Sequence, residues 1–155
     1  MAYNIIDLLN KAISVSIRKR EIYENIKRKE YNVPSMEIIP KILIKKIDNT
    51  IEYYEALKKE IGNESFEEID IRIYDRISFL INEFSKKIYE PEINNVREFL
   101  EFSLGLEKDT YSLIIDIQGR FTENTSDVHT KTYKILSAMI SNKADFVATL
   151  EKILK

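Results

Sequence analysis

An all-α fold is predicted by three features of this chain. Only three Gly and three Pro occur in 155 residues, while Ile, Leu, Lys and Glu are abundant, which favours long helices over turns. Apolar residues recur three and four apart over long stretches, the period of one helix face. No segment shows convincing period-two alternation.

Five helical segments follow in order. The first runs from about Asn4 to about Lys29, with Ile5, Leu9, Ala12, Ser16, Tyr23 and Ile26 on one face. Pro34 and Ser35 break it and start the next. The second runs from about Glu37 to Ile61, with Ile39, Leu43, Ile47, Tyr54, Leu57 and Ile61 in register. Gly62 and Asn63 suit its C-terminal cap. Ser65 with Glu68 makes a capping-box pattern. The third segment then carries Phe66, Ile69, Ile73, Ile77, Leu80, Phe84 and Ile88 on a stripe, and Pro91 ends it. Asn95 with Glu98 caps the fourth, which fades near Gly119. Ser126 or Asp127 caps the fifth, which runs nearly to Lys155.

Composition bounds the function. The formal net charge is −2 at pH 7, so no strong field draws in nucleic acid or an anionic membrane. With no cysteine, disulfides, thiolate metal sites and cysteine nucleophiles are excluded. No N-terminal signal pattern appears and no apolar run approaches ~20 residues, so a cytoplasmic protein is expected. The length suits one domain covering residues 1–155.

The fourth segment holds the most informative residue. Its stripe reads Val96, Leu100, Ser103, Glu107, Thr110, Ile114, Ile117. A carboxylate on a core face is costly unless something pairs with it.

The chain also repeats itself. Shifted by 91 positions, the first helix lies on the fourth: Leu8 and Leu9 meet Phe99 and Leu100, Ile13 meets Leu104, Ile22 meets Leu113, and Ile26 meets Ile117. Shifted by 93, the second lies on the fifth: Leu43 meets Leu136, Ile47 meets Ile140, Tyr53 meets Phe146, and Leu57 meets Leu150. Two helical hairpins are expected, at about 4–61 and 95–154, joined by a crossover helix at about 65–89. At roughly 1.5 Å per helical residue, that connector is long enough to cross a bundle lengthwise.

Two antiparallel pairs with one long crossover form the ferritin-like four-helix arrangement. The segment from Phe99 to Tyr111, reading Phe-Leu-Glu-Phe-Ser-Leu-Gly-Leu-Glu-Lys-Asp-Thr-Tyr, resembles the third core helix of rubrerythrin-like proteins. In that family the helix carries an apolar lead-in and then a metal-binding glutamate. The resemblance implies a diiron site with six ligands: one Glu from each of two helices and a Glu-x-x-His from each of the other two. Carried over by position, the first-helix glutamate falls on Ser16 and the first Glu-x-x-His on Ile47 and Thr50. The third-helix glutamate is Glu107, and the last Glu-x-x-His falls on Ile140 and Lys143. Only Glu107 keeps a ligand. The single histidine is His129, with Ser126 three residues before it, so no Glu-x-x-His exists. The expectation is a vestigial metal site with no metal and no cofactor.

In that geometry Glu107 faces Lys143, and an ion pair would stand where a metal stood, with Ser16 and Thr50 adding hydroxyl hydrogen bonds. Losing one partner of a buried pair costs about 3–5 kcal/mol. Lys143→Met alone should therefore destabilise, and adding Glu107→Leu should recover much of the loss. The other reading puts Glu107 at the bundle edge with Lys143 snorkelling to water. Remaining candidates have ordinary explanations. His129 suits a surface. Tyr53 and Tyr54 suit core packing with a wet hydroxyl. Arg18, Lys19, Arg20, Lys27, Arg28 and Lys29, interrupted by Glu21 and Glu24, suit a solvated face. Glu52 and Glu55 suit an exposed one.

Three function classes remain. The first, which the lost ligands favour, is a metal-free ferritin-like binding or scaffold module without catalysis, forming a homodimer. The second is a diiron-type oxidoreductase or iron-binding protein with displaced ligands. The third is an unrelated helical interaction bundle. None calls for nucleic acid or a membrane.

Overall fold

The computed structural model describes residues 3–29, 34–61, 66–122, 127 and 129–155. It is all-helical: α1 (Ile5–Arg28), α2 (Ser35–Ile61), α3 (Ile71–Lys87), α4 (Val96–Gly119) and α5 (Lys131–Leu154). The one strand-like feature among the described residues is an isolated antiparallel bridge between Tyr3 and Ile69. No described helix is long and apolar enough to cross a membrane.

Side-chain oxygens start most of these helices by accepting backbone N–H groups that a first turn leaves unpaired. Asn4 and Asp7 form a reciprocal capping box on α1. Asp70 accepts from the Arg72 amide to start α3. Asn95 accepts from the Glu98 amide to start α4, and Glu98 in return accepts from the Asn94 amide.

Two apolar clusters fix the helix directions. In the first, Ile5, Leu8 and Leu9 from the start of α1 meet Leu57 and Ile61 from the end of α2. Ile114 and Ile117 from the end of α4 join Leu136 and Met139 from the start of α5 there. In the second, Ile22, Tyr23 and Ile26 from late α1 meet Met36 and Leu43 from early α2. Phe99 and Leu100 from early α4 join Phe146 and Leu150 from late α5 in that cluster. Thus α1 runs antiparallel to α2, and α4 to α5. Polar ties follow the same pairing. Arg20 of α1 reaches Asp48 of α2 at 2.6 Å. The Gln118 amide of α4 donates to the Tyr133 carbonyl and Ser137 hydroxyl of α5. Helix α3 contributes Ile77 and Ile81 to the first cluster, and Ile88, just past its end, lies in the second.

The third helix is shorter than its apolar spacing predicts. Phe66 and Ile69 fit the stripe, yet residues 66–70 are not helical. Their polar groups are committed elsewhere: the Ile69 amide donates to the Tyr3 carbonyl at 2.8 Å. The Glu67 carboxylate accepts from the Thr132 amide in the first turn of α5. Stacking of Tyr3 on Tyr74, with centroids 3.7 Å apart, holds the same corner. A helix through 66–70 would break these ties, so Asp70 caps instead. The expected end at residue 89 also moves back, to Lys87. Ser65, Gly62, Asn63 and Ser126, expected as caps, lie outside the described residues. The fifth helix is not capped by Asp127. Thr130 does it, accepting from the Tyr133 amide, while its own hydroxyl donates to the Asp127 carbonyl.

Candidate functional site

Glu107 is fully buried in α4, at 0 % exposure, which removes the reading that placed it at an edge. Its carboxylate holds two ammonium groups. Lys143 of α5 donates to Oε2 at 2.6 Å. Lys19 of α1 donates to Oε1 at 3.0 Å and Oε2 at 3.2 Å. Both lysines are about as buried as the carboxylate, at 1 % exposure each. The Thr110 hydroxyl, one turn along α4, accepts from Lys19 at 3.4 Å while donating to the Leu106 carbonyl. Phe146 turns its ring toward the Lys143 ammonium, 5.1 Å from its centroid.

Lys19 overturns one expectation. It belongs to the basic stretch assigned to a solvated face, yet it is enclosed. Arg18 and Arg20 beside it stay partly exposed and take Glu21, Glu24 and Asp48 as partners. A sequence signal existed: Ser16, Lys19, Tyr23 and Ile26 follow one another at steps of three and four, so Lys19 lies on the buried stripe. Charged neighbours on either side hid it.

The expected hydroxyl ligands are also corrected. The Ser16 hydroxyl donates to the Ala12 carbonyl, and that of Thr50 to the Lys46 carbonyl, each one turn back on its own helix. Neither bonds to Glu107. Thr110 supplies the hydroxyl instead. Ile47 is buried in the second apolar cluster, and Ile140 packs half-buried against the first. His129, Glu52 and Glu55 are exposed.

Two buried ammoniums share one buried carboxylate. Burial drives the Glu107 carboxyl up, but Lys19 and Lys143 outweigh it and hold the group below its ordinary value. Burial also pulls Lys143 down, and Glu107, with help from Tyr54, more than restores it, so Lys143 ends above its usual value. The surplus proton falls on Lys19. Desolvation lowers it from 10.5 to about 8, with Glu107 opposing and Lys143 adding repulsion. Burial likewise raises the hydroxyls of Tyr23 and Tyr54.

A cavity of about 40 Å³ adjoins the cluster, sharing Thr110 as a wall and lined further by Ser16, Tyr54, Ile114, Leu136 and Met139. Two buried hydroxyls, those of Tyr23 and Ser103, find no hydrogen-bond partner among the described residues. Among the described residues, no group of three or more His, Cys, Asp or Glu side chains is arranged to hold a metal ion. No family model, curated protein or solved structure matches this chain.

Proposed function

We propose that this chain is a rubrerythrin-like, ferritin-like bundle whose diiron centre has been replaced by a buried ion cluster, and that it serves as a non-catalytic binding or scaffold module. The observation that carries the reading is the Lys19–Glu107–Lys143 cluster, drawn from three helices at the position where family ligands would converge. Helix order and direction support it. Helix α2 ends in the first apolar cluster and α4 begins in the second, so a lengthwise connection by α3 lies between them. The internal repeat supports it too. Lys19 and Thr110 are 91 positions apart, the same shift that superposes the first helix on the fourth, and they touch. Repeat-related positions that meet at the centre are what two similar hairpins packed about a pseudo-twofold axis would bring together.

The donor set does not fit a diiron centre. Among the family ligand positions, Lys143 holds an ammonium and Ile47 and Ile140 hold aliphatic carbon, and a protonated lysine repels a metal cation that carboxylate and imidazole would bind. Lys143 and Lys19 already occupy both oxygens of the one surviving ligand. A homodimer accords with this reading, as a scaffold role needs a surface rather than a centre.

Elemental analysis of protein purified without chelators, with iron(II) titration, tests the reading. Less than stoichiometric metal and no saturable iron uptake are expected. Stoichiometric metal that disappears in Glu107→Ala would restore the diiron alternative.

A further inference from the structure

A groove of about 530 Å³ lies between α4 and the end of α3. Its floor is one face of α4, where Glu101, Phe102, Gly105, Leu106 and Asp109 recur at steps of three and four. Gly105 opens it. The position is exposed, and a Cβ there would meet nothing within 4 Å, so the face has a gap where another residue would place a side chain. Phe84, Ile88 and Tyr89 form the facing wall. Ile88 leaves α3 in extended backbone and is buried in the second apolar cluster, with its carbonyl accepting from the Arg18 guanidinium at 3.4 Å. That anchorage fixes the wall without any ligand. Phe84 and Phe102 are half-buried, whereas Tyr89 stands 72 % exposed.

Three charged side chains line the groove, two carboxylates and one ammonium. Glu101 is engaged by Arg97, 3.1 Å away on the same helix. Lys87 lies in the last turn of α3, where the unpaired carbonyls of the helix end balance its charge. Lys108, next to Asp109 in sequence, turns to Glu151. Asp109 has no ion-pair or hydrogen-bond partner among the described residues. The groove therefore presents an unpaired carboxylate beside an aromatic trough. Both features attract an organic cation, the carboxylate by charge and the ring faces by their quadrupoles.

We propose that this groove binds a small arylalkyl amine, with its ammonium on Asp109 and its ring over the Gly105 gap, against Phe102, Leu106 and Phe84. The volume falls within the roughly 300–1,000 Å³ of small-molecule clefts, and a mainly apolar lining with a few polar groups is their usual character. Asp109 lies one turn from Gly105, about 6 Å along the axis, which a two-carbon linker between ammonium and ring spans. Tyr89, exposed at the rim, closes over the ring from the other side. Because Asp109 is exposed, its attraction is screened by salt, and affinity should fall as ionic strength rises. The proposal is independent of the ferritin-like reading, since the groove shares no residue with the Lys19–Glu107–Lys143 cluster.

The test is titration of the full chain with 2-phenylethylamine at pH 7, followed by amide chemical shifts in two-dimensional NMR. Saturable shifts centred on Gly105 and Asp109 are expected. Two probes with a similar body separate charge from apolar contact. The neutral 2-phenylethanol should bind on the order of tenfold more weakly, and the anion 3-phenylpropionate weaker still. Asp109→Asn should weaken the amine on the order of tenfold and leave the alcohol unchanged. Gly105→Leu fills the gap from the solvent side, so it should abolish binding of both while the thermal midpoint does not fall, which separates loss of the site from loss of the fold. The absence of saturable shifts at Gly105 and Asp109 overturns the proposal. So does equal affinity for the amine and the carboxylate probe, or Gly105→Leu protein that is folded and binds as the wild type does.

Discussion

Glu107 has one negative charge to offer and two lysines to satisfy, which decides what each substitution does. Removing Lys143 leaves a neutral Lys19–Glu107 pair, with both carboxylate oxygens still bonded by Lys19. Lys143→Met should therefore cost only about 1–2 kcal/mol, less than loss of a partner from an isolated pair. Glu107→Leu strands two ammoniums against each other and should cost at least about 3–5 kcal/mol. The double change, Lys143→Met with Glu107→Leu, still strands Lys19 and will not recover stability. Adding Lys19→Met should. Urea unfolding of the series checks this order, and a double variant as stable as the wild type would contradict it. The same surplus proton sets a pH dependence. Lys19 titrates at about 8 in the folded protein against 10.5 as an ordinary lysine. Between those values the unfolded chain binds more protons, so stability should rise with pH by as much as about 3 kcal/mol. Above about pH 10 the gain reverses, because Lys143, Tyr23 and Tyr54 have raised folded values and favour the fold only while protonated. Lys19→Met should abolish the rise while keeping the alkaline fall, a difference that thermal melts across pH 7–11 would register.

At the scale of elements, the long helices were legible because apolar residues recur at steps of three and four along most of their length and are flanked by charge. Helices α1, α2, α4 and α5 begin and end within a few residues of where spacing places them. The start of α3 was not legible. Phe66 and Ile69 continue its stripe perfectly well, and only long-range ties to Tyr3 and Thr132 pull that stretch away from helix. No local pattern carries such information. The cluster was legible by half for a related reason. A lone acid among Leu and Ile stands out, whereas Lys19 sits between two arginines and reads as surface unless the stripe is followed through it. Two element-level predictions test the helix ends and interiors. Among the described residues, Asp70 is the side chain that accepts from the first turn of α3, at 2.8 Å from the Arg72 amide, so Asp70→Ala should lower the thermal midpoint. Gly105 lies mid-α4, and a Cβ there would meet nothing within 4 Å. Gly105→Ala should then raise stability by roughly 0.5–1 kcal/mol, since alanine loses less backbone freedom on entering a helix. A lower melting temperature for that variant would mean that the surface beside Gly105 is in closer contact than the fold indicates.

Across the whole molecule, the ion cluster joins what the connections keep apart. The chain pairs α1 with α2 and α4 with α5, and apart from Lys143 on Glu107 the described ion pairs within each hairpin are exposed ones, such as Arg20 with Asp48 and Lys108 with Glu151. Exposed pairs of that kind contribute little. Between the hairpins, the described polar contact at the centre is Lys19 of α1 on Glu107 and Thr110 of α4. Lys143 then extends it to α5. The two apolar clusters lie toward opposite ends of this contact, each drawing on both hairpins. Opening one hairpin from the other must expose all three charged groups along with both clusters, so the helices should unfold as one unit rather than pair by pair. Native-state hydrogen exchange measures this directly. Core amides of α1, such as those of Ile13 and Ile22, should share one opening free energy with those of Ile114 and Met139. Glu107→Gln, which keeps the shape but removes the charge that both lysines need, should lower protection in both hairpins by the same amount. A fall confined to α4 and α5 would mean that the hairpins are independent and that the cluster serves only its own pair.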